Sequence, residues 1–161
     1  MIQACLKYLT HPGLALIFRL YLAAVFIYAS LHKINFPAEF ADNVASYLIV
    51  PQPLLNPMAL IMPWLELISG LFLLAGVRVR AASVLICLML VMFILAIVVA
   101  LLQDTPIGCG CFQSTGDPVS WWTVLRDLAW LGMGLHVFFY DAWVHLDRLF
   151  MLKPEELGLC E

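Results

Sequence analysis

Apolar side chains fall into four long runs along this chain, at approximately residues 14–31, 58–75, 81–102 and 122–140, with short polar stretches between them. A hydrocarbon core of about 30 Å needs about 20 helical residues at ~1.5 Å each, and all four runs are close to that length. None shows the two-residue alternation of a barrel strand, and only helices or closed barrels satisfy their backbone groups in lipid. The pattern predicts an all-α membrane protein, a four-transmembrane-helix bundle built as one domain over residues 1–161. The third run carries no charge. The first holds Arg19, the second Glu66, and the fourth Arg126 and Asp127. Pro57 and Pro63 are expected near the start of the second helix, where a missing N–H costs least. Lys7 precedes the first run, which is long for a signal-peptide core and lacks a small-x-small site, so a retained span is expected.

The stretches between the runs differ in character. The first outer loop, 32–57, holds four prolines, and Phe36, Phe40, Val44 and Leu48 recur at every fourth position with Glu39, Asp42, Asn43 and Ser46 between them. That spacing predicts an amphipathic helix over Pro37–Leu48, lying at the membrane interface or packed on the end of the bundle. The second outer loop, 103–121, is rich in Gly, Pro, Asp, Ser and Thr and should be irregular. After the fourth run, Trp143, Leu146 and Phe150 suggest a short interfacial helix followed by a soluble tail.

Composition agrees with lipid as the solvent. Hydrophobic residues make up 64% of the chain and charged residues 12%, against roughly half and a quarter in soluble domains. The net charge of −3 is scattered, and no basic stripe points to nucleic acid. Orientation follows from the positive charges. Arg78 and Arg80 lie in the turn after the second run, Lys7 near the amino end, and Arg148 and Lys153 in the tail, whereas the opposite side has Lys33 and little else. The positive-inside rule puts both termini in the cytoplasm and the second outer loop in the periplasm of a bacterium, with the chain a multi-pass protein of the inner membrane.

That loop contains Gly108-Cys109-Gly110-Cys111-Phe112. Cys5 and Cys160 fall on the reducing side and Cys87 inside the third run, so Cys109 and Cys111 alone share an oxidising compartment. Gly108 and Gly110 permit the backbone angles that a Cys-x-Cys ring requires, and a strained exposed disulfide is the exchangeable kind. Three chemistries suit the pair: a static loop disulfide, a soft-metal site for an ion such as Cu(I), and thiol–disulfide exchange. Against a metal site, no nearby histidine completes a ligand set, His32 being the only candidate on that side.

Charged residues within a membrane are costly and usually face the bundle interior. Counting ~1.5 Å per residue puts Lys33 at the outer mouth of the first helix, Glu66 roughly 12 Å below the surface, and Arg126 and Asp127 roughly 6–8 Å below it. These four share the half of the bundle beneath the cysteine loop and are expected to form a paired cluster. Such a cluster either locks helix register or serves the cysteines, with cations stabilising a thiolate and carboxylates moving protons. Arg19 lies toward the opposite side, too distant for direct pairing with Glu66. His136 and His145 lie there as well, as packing or interfacial residues.

Taken together, these residues resemble the MauE branch of the DoxX-like membrane proteins, which are linked to methylamine utilisation. The resemblance covers almost the whole chain. It rests on Arg19, Lys33, Pro63-Trp64-Leu65-Glu66 with Gly70, the Gly108–Phe112 run, and Trp122 with Arg126-Asp127. The Phe-Gly that often follows the cysteines is Phe112-Gln113 here. The resemblance implies a four-helix inner-membrane protein active in periplasmic disulfide handling. A thioredoxin-like protein would be its partner and methylamine dehydrogenase, with its disulfide-rich light chain, a client.

The expected function is therefore membrane thiol–disulfide exchange, with Cys109 and Cys111 as the redox pair and Lys33, Glu66, Arg126 and Asp127 beneath them. By analogy with DsbB and vitamin K epoxide reductase bundles, a quinone is the candidate electron acceptor. Those bundles have a second cysteine pair, and the first outer loop here has none. The alternative is a non-catalytic assembly factor or a copper-handling protein.

Overall fold

The computed structural model describes residues 11–47, 50–103 and 120–141. Five helices make up the described chain: α1 (Pro12–Asn35), α2 (Pro37–Ser46), α3 (Gln52–Ala75), α4 (Val79–Leu102) and α5 (Trp121–Tyr140). Of these, α1, α3 and α4 are long and apolar enough to cross a membrane. The 20-residue α5 packs on α4 and α1. Cys5, Cys109, Cys111, Cys160 and His145 lie outside the described residues, as do the stretch expected to form an interfacial helix around Trp143 and the tail.

The helix boundaries follow from local chemistry. At the head of α1 the His11 ring accepts the Gly13 N–H at 3.1 Å, and Pro12 occupies the first turn. Proline restricts the residue before it, and Phe36, just before Pro37, leaves helical geometry at φ −126° and separates α1 from α2. α3 ends at Gly76, whose φ of 72° suits a residue without Cβ. The Gly76 N–H reaches back to the Leu73 carbonyl at 3.3 Å, and that of Val77 to the Phe72 carbonyl at 3.0 Å. Arg78 also takes a left-handed conformation, with φ 43°, so the chain reverses within three residues and α4 runs back beside α3.

Two expectations about extent need correction. α3 begins at Gln52, so Pro57 and Pro63 lie inside the helix and not near its start. Interior proline is tolerated in membrane helices because neighbouring helices and local adjustments satisfy the freed carbonyl groups. α1 likewise runs on to Asn35, which places Lys33 within the helix and not in a loop. The helix expected over Pro37–Leu48 is present as α2, over Pro37–Ser46.

Packing forms a ring of four long helices. α1 packs most extensively on α3, then α4 on α5 and α1 on α5, with α3 against α4 the slightest of the four seams. Buried positions on α1 recur every three or four residues, at Ala15, Arg19, Leu22, Phe26, Ala29 and Lys33. This is the spacing of one helix face. Large apolar side chains such as Leu60, Leu95 and Phe139 point outward, as a lipid solvent allows.

The ring is staggered. Gly70 packs on Ile27, and Lys33 meets Glu66. This antiparallel register carries the first turns of α3 roughly 15 Å past the end of α1 at ~1.5 Å per residue. α2 packs there, mainly on α3, and buries Phe40 and Val44.

Candidate functional site

The buried stripe of α1 ends in Lys33, and that of α3 passes through Met62, Pro63, Glu66, Ser69 and Gly70. Where the stripes meet, Lys33 Nζ donates to both carboxylate oxygens of Glu66, at 2.7 and 2.8 Å. Both side chains are at least 96% buried. Two rings complete the cage. The ammonium lies 5.0 Å from the centre of the Phe40 ring on α2 and 4.9 Å from that of Phe93 on α4. A desolvated cation over an aromatic face gains about 2 kcal/mol or more. Four helices thus contribute to the surroundings of one ammonium group.

Lys33 is two residues from the end of α1 and is roofed by α2. Glu66 lies fourteen residues into α3, six more than a helix start at Met58 would give.

The fifth helix adds a second carboxylate. Asp127 is buried, and one of its oxygens accepts from Arg126 Nε and Nη2 at 3.0 and 2.9 Å. Arg126 is partly exposed, and its guanidinium stacks 4.6 Å from the centre of the Trp130 ring. A cavity of about 40 Å³ lies between the pairs, with Lys33, Glu66, Asp127, Phe93 and Trp130 in its wall. That is room for one water, whose share of liquid volume is about 30 Å³. An ammonium and two carboxylates around a water-sized space, walled by apolar groups, are equipped to hold a proton and hand it on.

The structure therefore brings Lys33, Glu66 and Asp127 to one cavity and keeps Arg126 at its edge. Arg19 pairs elsewhere, its Nη1 reaching Asp141 at 3.0 Å with both side chains buried. Sequence reading missed Asp141, which lies one residue past the fourth apolar run. It missed Phe40 and Phe93 as well, because an aromatic ring on an apolar face carries no sign that a cation lies beneath it. His136 packs among the rings of Phe18 and Tyr140. Cys87 is a free, half-buried thiol inside α4. Among the described residues, no three His, Cys, Asp or Glu side chains are grouped to hold a metal ion.

Comparison with known proteins bears on the site as a whole. A family model described as methylamine utilisation protein MauE matches residues 12–140, from the first residue of α1 to the last of α5. Curated relatives that carry the name methylamine utilization protein MauE come from three bacteria. The protein from Methylophilus methylotrophus is 37% identical over 130 residues, covering 78% of this chain and 68% of the relative. The one from Paracoccus denitrificans is 30% identical over 132 residues, covering 81% and 71%. The one from Methylorubrum extorquens is 31% identical over 134 residues, covering 76% and 72%. No solved structure matches the chain.

Proposed function

The chain belongs to the MauE family of methylamine utilisation proteins, and from that premise we propose that it performs thiol–disulfide exchange in the bacterial inner membrane. In this reading α5 is the fourth span and α2 lies at the periplasmic interface. The end of the bundle that bears Arg78 faces the cytoplasm. Cys109 and Cys111 form the redox pair. Their partner is a periplasmic thioredoxin-like protein, and the client is a disulfide-containing protein of methylamine utilisation such as methylamine dehydrogenase.

The observation that carries this reading is the position of the charged cluster. Lys33, Glu66 and Asp127 gather around one cavity at the α2 end of the ring. Residues 103–120, which hold both cysteines, join α4 to α5 at that same end. Exchange proceeds by attack of a thiolate on a disulfide sulfur through a mixed disulfide. A thiol must lose its proton to attack, and the departing thiolate must regain one. A nearby cation favours the thiolate, a part suited to Lys33 and Arg126. The carboxylates of Glu66 and Asp127 then suit the task of taking and returning the proton.

The deciding experiment traps mixed disulfides in cells with Cys109→Ser and, separately, Cys111→Ser. A thioredoxin-like protein attached to one variant and absent from the double variant is the expected outcome. A Cys109–Cys111 disulfide that survives millimolar dithiothreitol in the folded protein would overturn the reading and leave a static staple. A membrane-impermeant thiol reagent checks the orientation, since from outside it should label reduced Cys109 and Cys111 and spare Cys160.

A further inference from the structure

The two ion pairs beside the water-sized cavity are built unlike one another. Lys33 is enclosed. Its ammonium meets both oxygens of Glu66, lies against the Phe40 and Phe93 rings, and sits on a side chain only 4% exposed. The other pair is lopsided, with the Arg126 side chain 31% exposed and that of Asp127 only 3%. Both bonds from Arg126 end on Oδ1 of Asp127, and among the described residues no hydrogen bond is made to Oδ2. Asp127 also lines the cavity of about 40 Å³ together with Lys33 and Glu66.

This asymmetry has a charge consequence. With Arg126 in place, the cluster holds two cations and two carboxylates and is neutral. Lys33 and Glu66 offset one another wherever Arg126 goes. Withdrawal of Arg126 therefore leaves the charge of Asp127 buried and uncompensated, a state that a carboxylate escapes by taking up a proton. Arg126 is also placed to withdraw. Helical side chains lean toward the N-terminus of their helix, and a guanidinium on a long stem can reach water while the stem stays in apolar surroundings. The N-terminus of α5 is five residues before Arg126, and residues 103–120 join the helix there.

We propose that Arg126 and Asp127 form a counter-ion switch, in which Arg126 leaves Asp127 for an anion arriving at the α2 end of the ring and Asp127 takes the proton which that anion has shed. Resting on the exchange reading above, the anion is the thiolate of Cys109 or Cys111. The proton passes from sulfur to Asp127 Oδ2 through the cavity, which has room for one water. Charge is conserved, because a thiol and an Arg126–Asp127 pair become an Arg126–thiolate pair and a neutral Asp127. Reversal returns the proton to the departing sulfur. Lys33 and Glu66 stay ionised throughout.

Infrared spectroscopy of the full chain in detergent, with all five cysteines changed to serine, tests the carboxylate half by itself. At neutral pH the parent should show no C=O stretch from a buried protonated carboxyl. Arg126→Gln should show one, Arg126→Lys should not, and Arg126→Gln/Asp127→Asn should lose it. Should Arg126→Gln fail to fold, acid titration of the cysteine-free parent decides, because the first buried carboxyl to protonate must be the one that Asp127→Asn removes. Arg126→Gln without the band would overturn the switch, as would a band that Glu66→Gln removes and Asp127→Asn leaves.

With the cysteines in place, alkylation rate against pH tests the other half. Below the thiol pKa, Arg126→Gln should lower the thiolate fraction of the more reactive cysteine about tenfold, equivalent to one pKa unit. Asp127→Asn frees Arg126 from its competitor and should raise that fraction. A merely structural pair would shift both variants the same way, and shifts of one sign would overturn the proposal. Cysteines of ordinary reactivity in the parent would refute the exchange reading, and the infrared result would still decide the switch.

Discussion

The two sides of α3 make opposite kinds of seam. Toward α1 the helix presents Glu66, Ser69 and Gly70, and the helices come so close that a Cβ on Gly70 would stand 2.9 Å from Ile27 Cγ1 and 3.3 Å from its backbone nitrogen. The Ser69 hydroxyl donates to the Leu65 and Glu66 carbonyls of its own helix at 2.7 and 3.0 Å, so it is satisfied within α3. Toward α4 the helix presents Met58, Met62 and Leu65, and cavities remain between the helices. Lipid tails are as apolar as leucine, so burial of apolar surface gives membrane helices little reason to associate. Close backbone approach and polar contacts do that work. The α1 seam has both and closes. The α4 seam has neither in comparable measure and stays open.

The largest effect is expected from breaking the charged contact on the closed side. Lys33→Met leaves Glu66 buried without its cation and should cost about 3–5 kcal/mol, seen as loss of membrane accumulation or a lowered thermal midpoint. Lys33→Met/Glu66→Leu removes both charges and should recover most of that loss. If the pair serves the proposed exchange with a thioredoxin-like protein, that exchange should remain impaired in the recovered double variant. Recovery of exchange together with stability would reduce the pair to a register lock.

Next comes the close approach itself. Gly70→Leu should cost about 1–3 kcal/mol by forcing α1 and α3 apart, and Gly70→Ala less, read as successive falls in thermal midpoint. On the open side, Met62→Leu should cost under about 1.5 kcal/mol, because a near-isosteric side chain has room to settle. A cost at Met62 as large as that at Gly70 would erase the distinction between the seams. The smallest effect belongs to Glu39→Gln, on the exposed first turn of α2. Stability should stay within about 0.5 kcal/mol of the parent, and exchange should be unchanged, whereas Glu66→Gln should lower exchange. Equal behaviour of the two Gln variants would remove the cluster from the mechanism.

Much of this was readable in one dimension. Hydrophobic run length predicted every long helix, and the run 81–102 ended at the residue where α4 ends, because length and polarity are local properties. Intramembrane charge marked Glu66, Arg126 and Asp127 as interior groups on energetic grounds, with Lys33 at the helix mouth; the structure buries Lys33, Glu66 and Asp127 and leaves Arg126 partly exposed, and the Cys109–Cys111 pair is known solely from the sequence. Helix ends were less legible. Proline reads as a stop in water, so Gln52–Pro57 looked like loop until packing showed α3 running through it. Which charge meets which was not legible at all. Arg19 with Asp141, Lys33 with Glu66, and the rings of Phe40 and Phe93 around the ammonium all depend on lateral order and vertical stagger. Periodicity states which face of a helix is buried and leaves open which neighbour buries it. That choice is made where backbones come close enough to touch, as at Gly70 and Ile27, and a displacement of one turn, about 5.4 Å, would separate Lys33 from Glu66 and Arg19 from Asp141.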